Sequence, residues 1–574
     1  MNWAGKDKVA RLDVPPRVLR RKWAFGGDDG GNMVIHGDNL EALKALLPRH
    51  EGRVQCIYID PPYNTGNEGW VYNDNVNDPQ LKRWFGQVVG KEGEDFSRHD
   101  KWLCMMYPRL RLLRKLLAQD GAIFISIDDN ESSHLRMVCN EMFGESCFVA
   151  DVAWQRTYST RNDSKGIVSE AEHLLVFSKT PGWQPNKLPR TVEMDKKYKN
   201  PDNDPKGVWR SDNPYAPGAA THQGMVYAIQ HPFTGKLLYP SAGRCWAFEQ
   251  ALMLDFLSGW CPYELRDIGD DAKRAKVCGV TDVRAGVKAI VLSQSLEESK
   301  ALAEKVLKAG PWPRFFFSKN GKGGIARKTY LDKVGGVPPT NLWSYAEVGH
   351  TDEAKKELMG IFGGQARFDT PKPVRLIERV LAIATGKDGV VLDSFAGSGT
   401  TAHAVLKANA GDGGERKFIL VESMDYAEGV TAERVKRVIG GYGEGEKAVA
   451  GTGGGFGFWE LGPEVFGADG GLNDGELSEE ELRAWVWEKE TRGDAGGPPA
   501  LRQGEHRYFL GEAEGRAVFF CHERGREVVL DGELVRALGA KAGGSVVYAD
   551  ACWLEEDELR ERDIAFRKVP RDLK

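Results

Sequence analysis

Asp393-Ser394-Phe395-Ala396-Gly397-Ser398-Gly399-Thr400-Thr401 stands between a short apolar run, 390–392, and a segment of helical pattern, 400–409. A strand that feeds a glycine-rich turn and then a helix lets the backbone approach a ligand closely. It also points unpaired helix N–H groups at that ligand. Glu422 follows 25 residues after Gly397 and closes the next expected strand, 418–421. An acidic group in that place accepts hydrogen bonds from ribose hydroxyls. No Lys follows the second glycine at the Walker A spacing, so a phosphate cradle is not implied. Loop and acid together predict a nucleoside cofactor held without a phosphate requirement.

The alternation of strand and helix extends outward from this stretch. Residues 33–36 read as a strand, Gly37-Asp38-Asn39 as a turn and helix cap, and Leu40, Leu43, Leu46 and Leu47 as one helical face. A second strand, 54–59, ends at Asp60. Trp102, Met106, Leu110, Leu113 and Leu117 recur at helical spacing before another strand at 122–127, and a helix is expected at 374–385. Strands alternating with helices predict a parallel, doubly wound α/β sheet. The rhythm is lost between about 180 and 345, which is rich in Pro, Gly, Trp and Tyr and reads as an inserted domain. Residues 1–31 read as an arm and 441–458 as a Gly-rich linker, leaving 459–574 as a separate acidic piece.

Asp60-Pro61-Pro62-Tyr63 lies at the carboxyl end of its strand, where open α/β sheets bind ligands. Two prolines fix the backbone and remove two N–H donors, so the Asp side chain and the carbonyls remain as acceptors. An aromatic face follows. Acceptors beside a π-face suit the exocyclic amino group of a flat heterocycle. The plainer reading is a strand-to-turn exit, in which Asp and Pro are common.

Composition sets outer limits. Hydrophobic residues are 41% and charged residues 28%, a globular mix with material for more than one core. No apolar run approaches a membrane span, and Met1-Asn2-Trp3-Ala4-Gly5-Lys6-Asp7 does not suit a secretory signal. The nine cysteines include no C-x-x-C pair, which argues against a disulfide scaffold and a zinc ribbon. The net charge of −5 hides a gradient. Residues 151–350 hold 28 Lys and Arg against 21 Asp and Glu, whereas 451–574 hold 16 against 26. A basic middle fits a polyanion-facing region, although ordinary charge scatter would give the same numbers.

The 60–63 motif with Asn64-Thr65-Gly66, and the 395–399 loop, resemble the catalytic and cofactor motifs of amino-group DNA methyltransferases. The catalytic motif precedes the cofactor motif by more than 300 residues, the order of the β class. Other stretches resemble the Mod subunit of type III restriction–modification systems and its solitary relatives. They are 36–43, 154–165 (Trp154 through Asn162-Asp163-Ser164-Lys165), Arg244-Cys245-Trp246, 368–373, 431–438 and 547–570.

The resemblance implies a Rossmann-like, S-adenosylmethionine-dependent doubly wound sheet in circularly permuted order. It would carry an inserted target-recognition domain and a small α+β C-terminal domain. The expected division is an arm at 1–31, a catalytic half at 32–180, target recognition at 181–345, a cofactor half at 346–440, a linker at 441–458 and a C-terminal domain at 459–574. Asp60, Pro61, Pro62 and Tyr63 would be catalytic. Asp38, Phe368, Thr370, Lys372, Asp393, Phe395, Ala396, Gly397, Ser398, Gly399, Thr400 and Glu422 would bind the cofactor. Asp38 also reads as a helix N-cap. Lys372 reads equally as part of a helix start or as a partner for the methionine carboxylate of the cofactor. No metal is expected, and 128–131, Asp128-Asp129-Asn130-Glu131, reads as a solvated loop.

The implied activity is methylation of adenine N6 in double-stranded DNA, by flipping the base onto Tyr63 and direct in-line transfer. Cytosine-N4 methylation and a non-catalytic DNA-recognition subunit are the alternatives. A homodimer, a separate restriction subunit, no membrane, and a prokaryotic or phage-encoded cytoplasmic protein complete the expectations. No Walker A motif or helicase core is present in the chain.

Overall fold

A computed structural model describes residues 1–27, 29–65, 98–159, 167–493, 499, 505–539 and 544–573. Gly66 and the Asn162-Asp163-Ser164-Lys165 stretch lie outside the described residues. The chain forms two compact units, Met1–Asn186 with Pro339–Lys574, and Lys187–Pro338.

The first unit is built on a ten-stranded sheet. Its strands in chain order are β1 (Arg17–Phe25), β2 (Met33–His36), β3 (Val54–Ile59), β4 (Leu117–Ile127), β5 (Phe148–Gln155), β6 (Ala171–Ser178), β7 (Leu342–Trp343), β8 (Val390–Asp393), β9 (Lys417–Glu422) and β10 (Phe456–Glu464). Their spatial order is β1-β10-β2-β9-β8-β3-β4-β6-β5-β7. The run from β10 to β4 is parallel throughout. Parallel strands need cover on both faces, which is why β3, β8 and β9 read as near-continuous Val, Ile and Leu.

Helices α1 (Asn39–His50), α2 (Arg98–Leu116), α3 (Ser132–Phe143), α4 (Val374–Ala384) and α5 (Thr400–Asp412) supply the crossovers and cover. Leu40, Leu43, Leu46, Trp102, Met106, Leu110 and Leu113 are all buried in one core with Ile57, Ile59 and Leu392. The chain leaves β3 toward β4 on one side and β8 toward β9 on the other. Neighbouring β3 and β8 therefore mark the topological switch point, the crevice where such sheets bind ligands. The two halves that build it are more than 300 residues apart, so the sheet is wound in permuted order.

Two expectations change. Residues 1–31 are no free arm: β1 pairs antiparallel with β10 over Arg17–Phe25, and Trp3 and Val9 are buried. Arg20, Arg21 and Lys22 suit its place at the sheet edge, where charge deters further pairing. The boundary at 458/459 cuts through β10, which pairs with β2 inside the main sheet. A clean removal of the acidic tail would begin beyond Glu464. The tail folds as a four-stranded sheet, Phe509–Ala513, Arg516–Cys521, Ser545–Ala549 and Ile564–Lys568, with the helix Glu479–Thr491 packed on α1.

The second unit has its own aromatic core. Trp209 and Trp246 are 5% and 0% exposed there beside Tyr227, Trp260 and Phe315. The Trp246 indole donates to the Tyr227 carbonyl at 2.8 Å and the Trp209 indole to Asp202 at 2.8 Å. Among the described residues no helix is long and apolar enough to cross a membrane.

Candidate functional site

Both motifs emerge at the carboxyl ends of adjacent parallel strands. β3 delivers Asp60 and β8 delivers Asp393. The Trp102 indole, from the buried face of α2, donates to the Pro62 carbonyl at 2.7 Å and so fixes the double-proline turn. Asn64 then takes a left-handed φ of 58°, which Asn tolerates better than most residues.

Glu131, from the stretch read as a solvated loop, is 0% exposed and holds this turn. It accepts from the Asn64 amide. His99 Nδ1 lies 2.7 Å from one carboxylate oxygen and His134 Nδ1 2.9 Å from the other. Burial without such partners would be costly, so the carboxylate sits where donors converge. These three side chains bring potential metal-ligand atoms within 4.8 Å of one another. As they stand, the hydrogen bonds satisfy both carboxylate oxygens. Glu131→Ala should destabilise the fold by on the order of 3 kcal/mol by leaving buried donors unpaired. Denaturant unfolding of the variant against the parent chain measures this.

Asp60 sits in a charged cluster. Lys372 Nζ lies 2.7 and 2.6 Å from its two carboxylate oxygens, and the Tyr63 hydroxyl lies 2.9 Å from Oδ1. Burial pushes the Asp60 carboxyl up from its ordinary range, while Lys372 pulls it down. Lys372 also lies 5.0 Å over the Tyr63 ring. The structure thus brings Lys372, expected beside the cofactor, onto the Asp60 carboxylate. Its carbonyl accepts from Thr400 Oγ1 at 3.2 Å, which joins the two motifs physically. A second buried carboxylate, Glu172 of β6, lies 3.0 Å from the Tyr63 hydroxyl and 2.8 Å from Arg156.

The glycine loop is shaped from both sides. Gly397 and Gly399 have φ of 51° and 80°, the left-handed region that favours glycine. A Cβ on Gly397 would stand 3.0 Å from the Phe368 ring, which itself meets Tyr426 edge-on at 5.8 Å. The Gly397 N–H donates to Glu422 Oε2 at 2.8 Å, and the Met424 N–H donates to Oε1 at 3.0 Å. Asp393 accepts from Thr401 and from the Phe395 N–H, so it braces the turn from within. Burial pushes both Glu422 and Asp393 up to about 7. From beneath, buried Arg434 donates to Ser398 Oγ at 2.9 Å and Thr400 Oγ1 at 2.8 Å.

Asp38 caps α1, accepting from the Leu40 N–H at 2.8 Å, and pairs with Arg109 at 3.1 Å. Asn39 beside it donates to the Ser394 carbonyl at 2.8 Å, bringing this end of β2 to the loop. Thr370 is exposed. The cradle fits a nucleoside with a cationic or hydroxyl-bearing part. It offers aromatic faces at Phe368 and Tyr426, a close backbone approach, and two buried acids whose charge a donor or cation would stabilise.

Sequence reading missed Glu172, Arg156 and Arg434. The one signal for Glu172 is an acid at the head of an apolar run, Leu174-Leu175-Val176-Phe177. Nothing local says which face it would occupy.

Residues 54–259 and 294–432 match the sequence model of the family described as DNA methylase. The Mod subunit of the type III restriction–modification enzyme StyLTI of Salmonella typhimurium is 35% identical over 404 residues, 68% of this chain and 52% of that protein. The Mod subunit of the EcoPI enzyme of Escherichia phage P1 is 30% identical over 451 residues, 74% of this chain and 63% of that protein. Among solved structures, PvuII DNA methyltransferase (cytosine-N4-specific) aligns at 13% identity over 70% of this chain and 86% of that one, with a TM-score of 0.32. The chain spans between about half and two-thirds of the length of these curated relatives.

Proposed function

Because the chain belongs to the DNA methylase family, we propose that it transfers a methyl group from S-adenosylmethionine to the N6 amino group of adenine in double-stranded DNA. The observation that carries this reading is the meeting of Asp60 and the 395–399 loop at the ends of adjacent strands. Bound in that loop, S-adenosylmethionine supplies a methyl group already activated on a sulfonium. The chain's own residues then have to orient and stabilise.

An amino group inside a duplex is out of reach, so the target base is flipped into the crevice. Tyr63 offers its ring for stacking. Asp60 and the Pro61 carbonyl accept the amino hydrogens, which draws the nitrogen lone pair out of conjugation and aims it at the methyl group. Lys372 must move off the Tyr63 ring face and loosen from Asp60 for the base to enter. Phe368, Phe395, Ala396, Gly397, Ser398, Gly399 and Thr400 shape the cofactor cradle, Glu422 takes the ribose hydroxyls, and Asp38 takes the adenine amino group of the cofactor.

Tritiated methyl transfer to DNA, RNA and protein tests the class. Hydrolysis of the labelled DNA to nucleosides then separates N6-methyladenine from N4-methylcytosine. Label in protein or RNA alone would overturn the reading.

Residues 187–338 are proposed to select the target sequence. Their 24 Lys and Arg against 16 Asp and Glu support phosphate contact, which makes binding salt-dependent. Exchanging this segment for that of a relative with a different target should move methylation to the relative's sequence in an active chimera. An unchanged sequence in methylome sequencing would reassign target choice elsewhere. The Mod-subunit relatives support a separate restriction subunit as partner. A homodimer is proposed with it, and light scattering reads that as twice 63.6 kDa. A cytoplasmic prokaryotic or phage setting fits both.

A further inference from the structure

Methyl transfer to an amino nitrogen leaves that nitrogen with a proton to lose, and we propose that Glu172 receives this proton through the Tyr63 hydroxyl. The inference rests on the reading of the chain as an amino-group methyltransferase. Tyr63 has one hydroxyl hydrogen, yet its oxygen lies 2.9 Å from Asp60 Oδ1 and 3.0 Å from Glu172 Oε2. With both carboxylates ionised, that hydrogen serves only one of them. One added proton on either carboxyl turns both contacts into hydrogen bonds. The three groups form a chain one proton short of completion, and the reaction supplies one.

The step balances. The N–H bond of the methylated nitrogen breaks, its electron pair stays on nitrogen, and an O–H bond forms on Asp60. Asp60 then gives a proton to the Tyr63 oxygen while the hydrogen of Tyr63 moves to Glu172 Oε2. Tyr63 ends as it began, Asp60 returns to the carboxylate that the next amino group needs, and Glu172 ends protonated. Arg156, 2.8 Å from Glu172 Oε1 and 39% exposed, marks the side from which that proton reaches water.

Among the described residues, the groups facing this chain are Asp60 and Tyr58 from β3, Asp128 at the end of β4, Arg156 just after β5, Asp393 from β8, and Lys372 ahead of α4. Lys372 is 3.9 Å from Glu172. Two cations oppose the two bridging carboxylates, so the cluster tolerates the charged resting state. Burial pushes the Tyr63 hydroxyl well above its ordinary value, so it passes a proton on without becoming a lasting phenolate.

Glu172 acts through Tyr63, as a positioning residue does, so the test needs a readout that lost packing would not move. Tyr63→Phe keeps the stacking ring, and Glu172→Gln keeps the shape and an acceptor oxygen. Each is assayed by single-turnover methylation of duplex DNA at saturating cofactor across pH 5–9, a range chosen to bracket ordinary carboxyl and imidazole titration, with cofactor affinity and melting as controls. The expected result is a loss of about tenfold or more in each. The double variant should be no slower than either single one. The pH profile of Glu172→Gln should differ from that of the parent chain, and Glu172→Asp should recover part of the rate.

Near-parental rates with an unchanged pH profile in both variants would overturn the relay. If neither variant folds, a proton inventory on the parent chain decides. A curved inventory supports more than one proton in flight, and a linear or flat one overturns the relay. A parent chain that methylates no DNA overturns the underlying reading instead, and the two failures are told apart on the first sample.

Discussion

Asp60→Ala is expected to slow single-turnover methylation by about a hundredfold or more while duplex DNA still binds. In the proposed mechanism Asp60 accepts from the amino group as that nitrogen gives up its planar form and gains positive charge. Removing a preorganised acceptor for developing charge costs several kcal/mol of transition-state stabilisation, about a hundredfold to a thousandfold in rate. Phosphate contacts dominate protein–DNA affinity in general, and the role proposed for this carboxylate includes none of them. The structure adds a second consequence. Lys372 is only 12% exposed and donates to both Asp60 oxygens, so the Ala variant removes that partner from a largely buried ammonium, with Glu172 at 3.9 Å a further acid among the described residues. Some of the loss is therefore local rearrangement. Asp60→Asn separates the two effects, because it keeps an acceptor for Lys372 and removes the charge. Near-normal single-turnover rates in both variants would remove Asp60 from the mechanism.

The parts of this molecule legible in its sequence are those in which local pattern and burial agree. β2 and β3 read to the residue, because parallel strands covered on both faces must be apolar from end to end and their helices must carry one apolar stripe. The two motifs were legible for the same reason: each is punctuation, Pro-Pro or Gly-x-Gly, set directly after such a strand.

Other features depend on partners far away in the chain. β1 reads as a charged lead-in because Arg17, Arg20, Arg21 and Lys22 mask its pairing with β10, more than 400 residues later. Glu172 meets Tyr63, and Arg156 meets Glu172, only because β6 runs antiparallel beside β4 and β5 antiparallel beside β6. For Lys372 the motif offers a helix start or a cofactor carboxylate, and its pairing with Asp60 in the structure is legible from neither. Which of two neighbouring anions it pairs with is a matter of reach that no spacing encodes. Trp209 and Trp246 lie in the core of the second unit, since a unit of this size needs a core of its own.

Gly397→Asp should abolish cofactor affinity in the measurable range, a loss on the order of a hundredfold or more, with DNA binding retained. Three effects add at this one position. The backbone φ of 51° disfavours most side chains, although Asp tolerates it better than most, so strain is the smallest of the three. The new Cβ would stand 3.0 Å from Phe368, pushing in the ring that closes the cradle. The new carboxylate would lie next to Glu422, whose oxygen is 2.8 Å from the Gly397 nitrogen and whose carboxyl burial already holds up to about 7. A second acid there raises it further, which weakens Glu422 as a charged acceptor for the ribose hydroxyls it is proposed to take. Gly397→Ala carries the strain and the Phe368 contact without the charge. Its affinity for S-adenosylmethionine should therefore fall between those of the parent chain and Gly397→Asp, by calorimetry on folded protein. Equal losses in Ala and Asp would assign the whole effect to shape and remove the electrostatic part. An Asp variant that binds the cofactor normally would move the cradle away from this loop.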